Sequence, residues 1–320
     1  MAASLAVLVG ADGLAAALGP HLRPPLYWPT FEVQHKYGRM AQLGPSRTRV
    51  VLLGDSVLDS AADPEVMAAE GQPGVYNAAL AGEPLPVLAE WAIRVVEPRF
   101  HPATVVLGFD INVVNGDLRS QLPLLAEFHH SRPVAVAEGR GGLFDHVDGW
   151  LERHVALYRD RSVLRQPFDP PATQGSLIYD PPLSPAGWNQ EFREKQLPSS
   201  PAGLQQAAAE LRAGLFARPR PSPAEAALIA SLVGDLRRRG VRVVFVALPE
   251  SPVLPIVVPG GAAVIDAERA TMLGAARGAG AQVLVAGRWP AADFADGVHL
   301  DAAGSERFSQ WLAQELRATG

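Results

Sequence analysis

Two short stretches of this 320-residue chain place together side chains that could move a proton to and from a reacting hydroxyl. The first is Val50-Val51-Leu52-Leu53-Gly54-Asp55-Ser56, where four apolar residues run into small and polar ones. That pattern reads as a buried strand turning directly into a helix, and in a parallel sheet such a turn lies at the carboxyl edge, where ligands bind. A serine there gains positive potential from the helix start. The same residue type is also an ordinary helix cap, and Gly-Asp-Ser alone does not separate the two roles. The second stretch is Asp296-Gly297-Val298-His299, just ahead of a segment with helical apolar spacing. A carboxylate three residues before an imidazole can reach Nδ1 and fix the tautomer whose Nε2 takes a proton from a hydroxyl. The plain alternative is a helix capped by Asp301 with His299 turned to solvent.

The elements that must position these residues follow from the hydrophobic pattern. From Arg47 onward, short β-branched runs ending in glycine or small polar residues alternate with longer segments of helical spacing. Strands are expected at Val50 to Leu53, Val75 to Asn77, Thr104 to Leu107, Val241 to Leu248 and Gln282 to Val285. Helices are expected at about 84–97, 222–239, 262–279 and 302–317. The nearly unbroken apolar run from Val241 to Leu248 suits a strand covered on both faces, and βα alternation implies a parallel sheet with crossover helices.

Between Ser131 and Pro223 the alternation lapses into dense prolines with scattered aromatics, among them Trp150, Tyr158, Phe168, Tyr179 and Trp188. Those aromatics argue against disorder, and the segment of about 131–222 reads as an insertion over the sheet. Residues 1–46 form a separate lead-in to the unit at 47–320. Their first part is small and apolar except for Asp12, whose insertion into a bilayer would cost about 2.5–3.5 kcal/mol. Two readings of it stand, a helix packed on the domain and a short membrane anchor.

Composition removes several function classes. With 28 Lys and Arg against 33 Asp and Glu the net charge is -5, and no basic stripe follows a phosphate backbone, so nucleic acid is not an expected partner. The absence of cysteine excludes disulfides and thiolate metal sites. His129-His130 has no further ligand at metal spacing, and no metal site is expected. Arg237-Arg238-Arg239 before Gly240 fits cations at a helix carboxyl end, and Gly139-Arg140-Gly141-Gly142 lacks the lysine and Ser/Thr of a phosphate loop.

The order of motifs carries more than any one of them. Gly54-Asp55-Ser56 is followed by Asn77-Ala78-Ala79-Leu80-Ala81-Gly82 after the second strand, by Gly108-Phe109-Asp110-Ile111-Asn112 after the third, and by Asp296 to His299 near the end. In this the chain resembles the SGNH hydrolase superfamily, the GDSL-like esterases and acyltransferases, over about residues 47 to 318. The resemblance implies a flavodoxin-like three-layer α/β/α sandwich with a mainly parallel sheet and a long insertion after the third strand. It implies Ser56 as nucleophile, His299 as general base and Asp296 as its orienting carboxylate, with backbone N–H groups of Ser56 and Gly82 on the oxyanion and no cofactor. Glycine at position 82 suits both a turn with positive φ and the close approach of a ligand to the backbone.

One motif departs from the family. Where Gly-x-Asn usually supplies a side-chain amide to the oxyanion, this chain has Asp110, and an ionised carboxylate there would repel the oxyanion. Asn112 is the candidate donor, with Asn115 more distant; otherwise the two backbone donors act alone. The resemblance extends to Pro24-Pro25-Leu26-Tyr27-Trp28 and Lys36, which are similar to a bacterial subgroup with an amino-terminal membrane segment and links to the cell envelope. The expected function is therefore a serine-dependent O-acyl esterase or acyltransferase acting on an ester of a carbohydrate or small alcohol. The rival is a weak or inactive SGNH-like domain that binds a glycan or envelope partner. The corresponding locations are a membrane-anchored or exported protein and, without an anchor, the cytoplasm.

Overall fold

A computed structural model of the chain describes residues 2–18, 31–43, 48–82, 85–110, 147, 150, 151, 154–159, 164, 181–213 and 223–319. Two helices come first, α1 (Ala2–Leu18) and α2 (Phe31–Leu43). Then follow β1 (Val50–Gly54), α3 (Ser56–Ala61), α4 (Pro64–Ala69), β2 (Val75–Asn77), α5 (Leu85–Glu90), a π-helical stretch Trp91–Val96, α6 (Glu97–Phe100) and β3 (Thr104–Phe109). Later come α7 (Ala156–Arg159), α8 (Pro201–Ala213), α9 (Pro223–Arg238), β4 (Arg242–Ala247), α10 (Leu254–Val257), α11 (Gly261–Gly278), β5 (Gln282–Val285) and α12 (Ala302–Ala318).

Among the described residues the strands form one five-stranded sheet in the order β2-β1-β3-β4-β5, with every pairing parallel. This is the flavodoxin-like order. All residues of β1 and β3 are buried, which is why those runs are apolar without alternation. Right-handed crossovers then fix the layers. The step from β1 to β2 goes one way and all later steps go the other, so α3 and α4 share a face with α12, while α5, α9 and α11 take the opposite face. The helix contacts follow this division, α12 packing on α3 and α4, and α9 packing on α5 and α11.

The segment expected to be one helix at 84–97 contains the π-helical stretch, immediately before Pro98. Proline has no N–H to give to the carbonyl four residues earlier, so the ladder shifts there. Of the insertion, 181–213 is the longest described stretch, and 181–197 dock on the open side of β2: Asn77 N donates to Ala186 O at 2.9 Å, and Trp188 Nε1 donates to Ser60 O at 2.7 Å. In the lead-in, α2 buries Met40 in the hydrophobic core. Helix α1 packs on α7, where Asp12 Oδ1 accepts the N–H of Leu157 at 2.8 Å. No helix among the described residues is long and apolar enough to cross a membrane.

The docking of 181–197 leaves no room at Gly187, which has φ +87° and whose Cβ, if added, would stand 2.2 Å from the carbonyl oxygen of Asn77. Gly187→Ala is expected to destabilise the protein by about 2 kcal/mol or more, read as a lower urea midpoint. An unshifted midpoint would mean that this segment does not lie against β2.

Candidate active site

The order in which the chain adds strands reverses between β1 and β3, and in folds of this order the ligand crevice lies outside the strand carboxyl ends at that switch point. Two glycines make the strands fit there. A Cβ on Gly54 would be 2.1 Å from Gly108 O, and one on Gly108 would be 2.9 Å from the Leu58 side chain of α3. Lacking both, the sheet lets α3 sit directly on its end.

The helix begins at Ser56, yet Ser56 is not its cap. Asp55 is, its Oδ1 accepting from Val57 N at 3.0 Å. The hydroxyl is thus left for another partner, and Ser56 Oγ lies 3.0 Å from His299 Nε2 across 243 positions of chain. His299 Nδ1 is 2.9 Å from Asp296 Oδ2, while Asp296 Oδ1 accepts the backbone N–H groups of Val298 and His299, each at 2.8 Å. One oxygen of Asp296 therefore shapes the turn and the other orients the ring. Burial raises the Asp296 carboxyl, but the hydrogen bond and charge of His299, with the two backbone donors, outweigh it and hold the group below its ordinary 3.8. Capping of α12 by Asp301, which accepts from Gly304 N at 2.8 Å, occurs alongside this arrangement and does not replace it.

The insertion closes over the imidazole. Phe192 stacks on the His299 ring with centroids 3.9 Å apart and planes 10° apart. Lys195 Nζ lies 4.6 Å from the Phe192 centroid. Leu197 N donates to Phe294 O at 2.7 Å, and Leu211 of α8 fills the space beside Gly297. An aromatic face on one side of the ring limits its tilt and keeps water off that side. Phe192 has no sequence motif to mark it, because its position depends on the path of the insertion.

After β2 the segment Ala78-Ala79-Leu80-Ala81-Gly82 bends over the same edge. Leu80 N donates to Gly54 O at 2.9 Å, so this loop is tied to the residue two before Ser56. Asn77 fastens it to α3: its Nδ2 donates to Asp59 O at 3.1 Å and Ala62 O at 2.9 Å, and its Oδ1 accepts from Ala79 N at 3.1 Å. Gly82 adopts φ +72°, exposed, with open space where a Cβ would point. Among the described residues no acceptor takes the N–H of Ser56 or of Gly82.

Asp110, directly after β3, is buried and hydrogen-bonded to Asp55. Burial pushes the Asp55 carboxyl up, against the N–H groups of Val57 and Leu58, the Asp110 hydrogen bond and the charge of His299. The structure thus brings Ser56, Asp296 and His299 into one hydrogen-bonded row, with the Gly82 loop tied to the same edge and Asp110 beside Asp55. Asn112, Asn115, His129-His130 and Gly139 to Gly142 lie outside the described residues. Among the described residues no three His, Asp or Glu side chains gather as metal ligands.

The sequence matches no family model and no curated protein. Solved structures similar to it include a GDSL-like lipase from Bacteroides thetaiotaomicron, 11% identical, covering 89% of this chain and 97% of that one with a TM-score of 0.41. Est24, a carbohydrate acetylesterase from Sinorhizobium meliloti, is 12% identical over 85% of this chain and 100% of its own, with a TM-score of 0.40. The inhibitor-bound aryl esterase of M. smegmatis is 12% identical over 85% and 99%, with a TM-score of 0.38. The architecture described above rests on the strand order and register of this chain itself.

The lowered Asp296 carboxyl has a signature in stability. A carboxyl depressed on folding contributes stability that is fully present above its unfolded value of 3.8 and is lost as pH falls through its lower folded value. The stability gap between the native chain and Asp296→Asn is expected to be constant above 3.8 and to shrink below it, measured by urea unfolding across pH. A gap unchanged down to about pH 2 would contradict the lowered carboxyl of Asp296.

Proposed function

We propose that the protein is a serine-dependent O-acyl esterase or acyltransferase of the SGNH/GDSL type. The reading is carried by the row Ser56 Oγ, His299 Nε2, His299 Nδ1, Asp296 Oδ2, with steps of 3.0 and 2.9 Å. A serine hydroxyl is a weak nucleophile until a base at hydrogen-bond distance takes its proton. In this mechanism Ser56 Oγ attacks the ester carbonyl carbon as its proton passes to His299 Nε2, and Asp296 stabilises the imidazolium. Collapse of the tetrahedral intermediate breaks the bond to the alcohol oxygen, which takes the proton from His299. Water, or a second alcohol, then gives a proton to His299 and attacks the acyl-serine, releasing acid or a new ester. No step requires a cofactor.

The N–H groups of Ser56 and Gly82 hold the oxyanion in this reading, which their lack of other acceptors among the described residues supports. Preorganised donors of this kind contribute about 2.7–4 kcal/mol each to the transition state. Asp110 hydrogen-bonds to Asp55 and is not assigned to the oxyanion in this reading. Asn112 remains the proposed side-chain donor. The substrate class, an ester of a carbohydrate or small alcohol, rests on the sequence resemblance, as does a setting at the cell envelope. The intact row from Ser56 to Asp296 weighs against the inactive binding domain.

Ser56→Ala and His299→Ala are each expected to lower kcat/KM on p-nitrophenyl acetate by about 10⁴-fold or more, with little further loss in the double variant, because the two act as one unit. Intact mass should show one fluorophosphonate adduct, at Ser56. Losses that simply multiply in the double variant, or labelling elsewhere, would overturn the mechanism.

The donor question is settled by two more variants on the same ester. Asn112→Ala is expected to lower kcat by about 10²–10³ with KM little changed, and Asp110→Asn to change kcat only a few-fold. The reverse ranking would place Asp110, not Asn112, against the oxyanion.

A further inference from the structure

The loop Ala78-Ala79-Leu80-Ala81 has no polar side chain with which to hold itself, so its buried backbone groups need partners from outside. They have them. Ala78 N donates to Leu52 O at 2.9 Å and Ala78 O accepts from Trp91 Nε1 at 2.8 Å. Ala79 N and Leu80 N go to Asn77 and Gly54, as described. The last two partners come from a different part of the chain, α2: Lys36 Nζ donates to Ala79 O, and Glu32 Oε2 accepts from Ala81 N at 3.0 Å. The next N–H along is that of Gly82.

Glu32 and Lys36 are one turn apart on α2 and both fully buried, with Glu32 Oε1 3.3 Å from Lys36 Nζ. Lys36 also bonds Asp59 of α3, which is fully buried too. Asp59 Oδ2 in turn accepts from Asn189 Nδ2 of the insertion at 3.0 Å. Burial first, then the charge of Glu32, push the Asp59 carboxyl well above its usual range against the pull of Lys36. A buried ionic cluster of this kind is a poor source of stability compared with apolar packing, and its best-attested use is to specify one arrangement.

We propose that Glu32 and Lys36 are positioning residues for the oxyanion-binding loop, fixing Ala79 O and Ala81 N so that the Gly82 N–H is aimed at the reacting carbonyl oxygen. The proposal rests on the ester-cleaving reading given above. Glu32 acts through the loop and touches no substrate, so its loss weakens the interaction that strengthens as charge develops, and leaves ground-state binding alone. The charged carboxylate matters because a charge-assisted bond is about twice as strong as a neutral one.

The test uses the full chain and p-nitrophenyl acetate, with fluorophosphonate labelling of the unsubstituted protein as the control for the reading beneath. Glu32→Ala is expected to lower kcat by about 10–100-fold with KM within two-fold. Glu32→Gln, which keeps an acceptor for Ala81 N but no charge, is expected to lower kcat by about 3–10-fold with the thermal midpoint within a few degrees. Arg39→Ala, which removes bonds from the same helix to Leu183 O and Ser184 O, serves as the stability control and is expected to lower the midpoint without changing kcat. Unchanged kcat in Glu32→Gln, or a loss in Arg39→Ala equal to that in the Glu32 variants, overturns the positioning role. Should Glu32→Ala fail to fold, the Glu32→Gln result decides alone. An unsubstituted protein that neither turns over nor labels overturns the esterase reading instead, which keeps the two failures apart.

Discussion

The carbonyl of Gly54 is the point on which the rest of the site turns. It accepts the N–H of Leu80 at 2.9 Å, and so fixes the loop after β2 to the end of β1 two residues before Ser56. It can do so because parallel strands bring their carboxyl ends to one edge, and because a Cβ at position 54 would run into the Gly108 carbonyl of β3 and one at position 108 into Leu58 of α3. With that edge set, Ser56 has a fixed height above the sheet, and the chain's later segments must meet it there.

They do so from three directions. The turn before α12 brings His299 with its ring already oriented, since Asp296 divides its two oxygens between backbone and imidazole. Residues of the insertion cover that ring with Phe192. Helix α2 reaches the loop from below with Glu32 and Lys36. Two of the three approaches use directional hydrogen bonds, and the third an aromatic face, where apolar packing alone would leave several arrangements of nearly equal energy. Such directional contacts fix positions more closely than the core alone can.

How far this is legible in the sequence depends on range. The five strands can be read from apolar β-branched runs, to within two residues at each end, because burial leaves a local imprint on composition, strongest in β1 and β3, where every residue is covered. The helices at 223–238, 261–278 and 302–318 are equally plain in their spacing. The π-helical stretch at Trp91–Val96 is not, although Pro98 marks where a regular ladder must fail. At the site, order along the chain suggests that Ser56 and His299 belong together, but nothing local to either says so. The reading of Ser56 as a cap is displaced by Asp55, one residue earlier, a choice that rests on side-chain geometry and not on residue type. Glu32 and Lys36 stand at helical spacing, yet their common partner Asp59 lies in a different element, so the cluster has no signature along the chain.

The division of labour between Asp55 and Ser56 has a wider meaning. Because the cap of α3 and the hydroxyl facing His299 belong to separate residues, the helix start does not lean on the hydroxyl at all. A chain that lost it would keep its architecture and the cap of α3. In a scaffold built this way, the proposed chemistry is removable by a single side-chain change with the fold left standing.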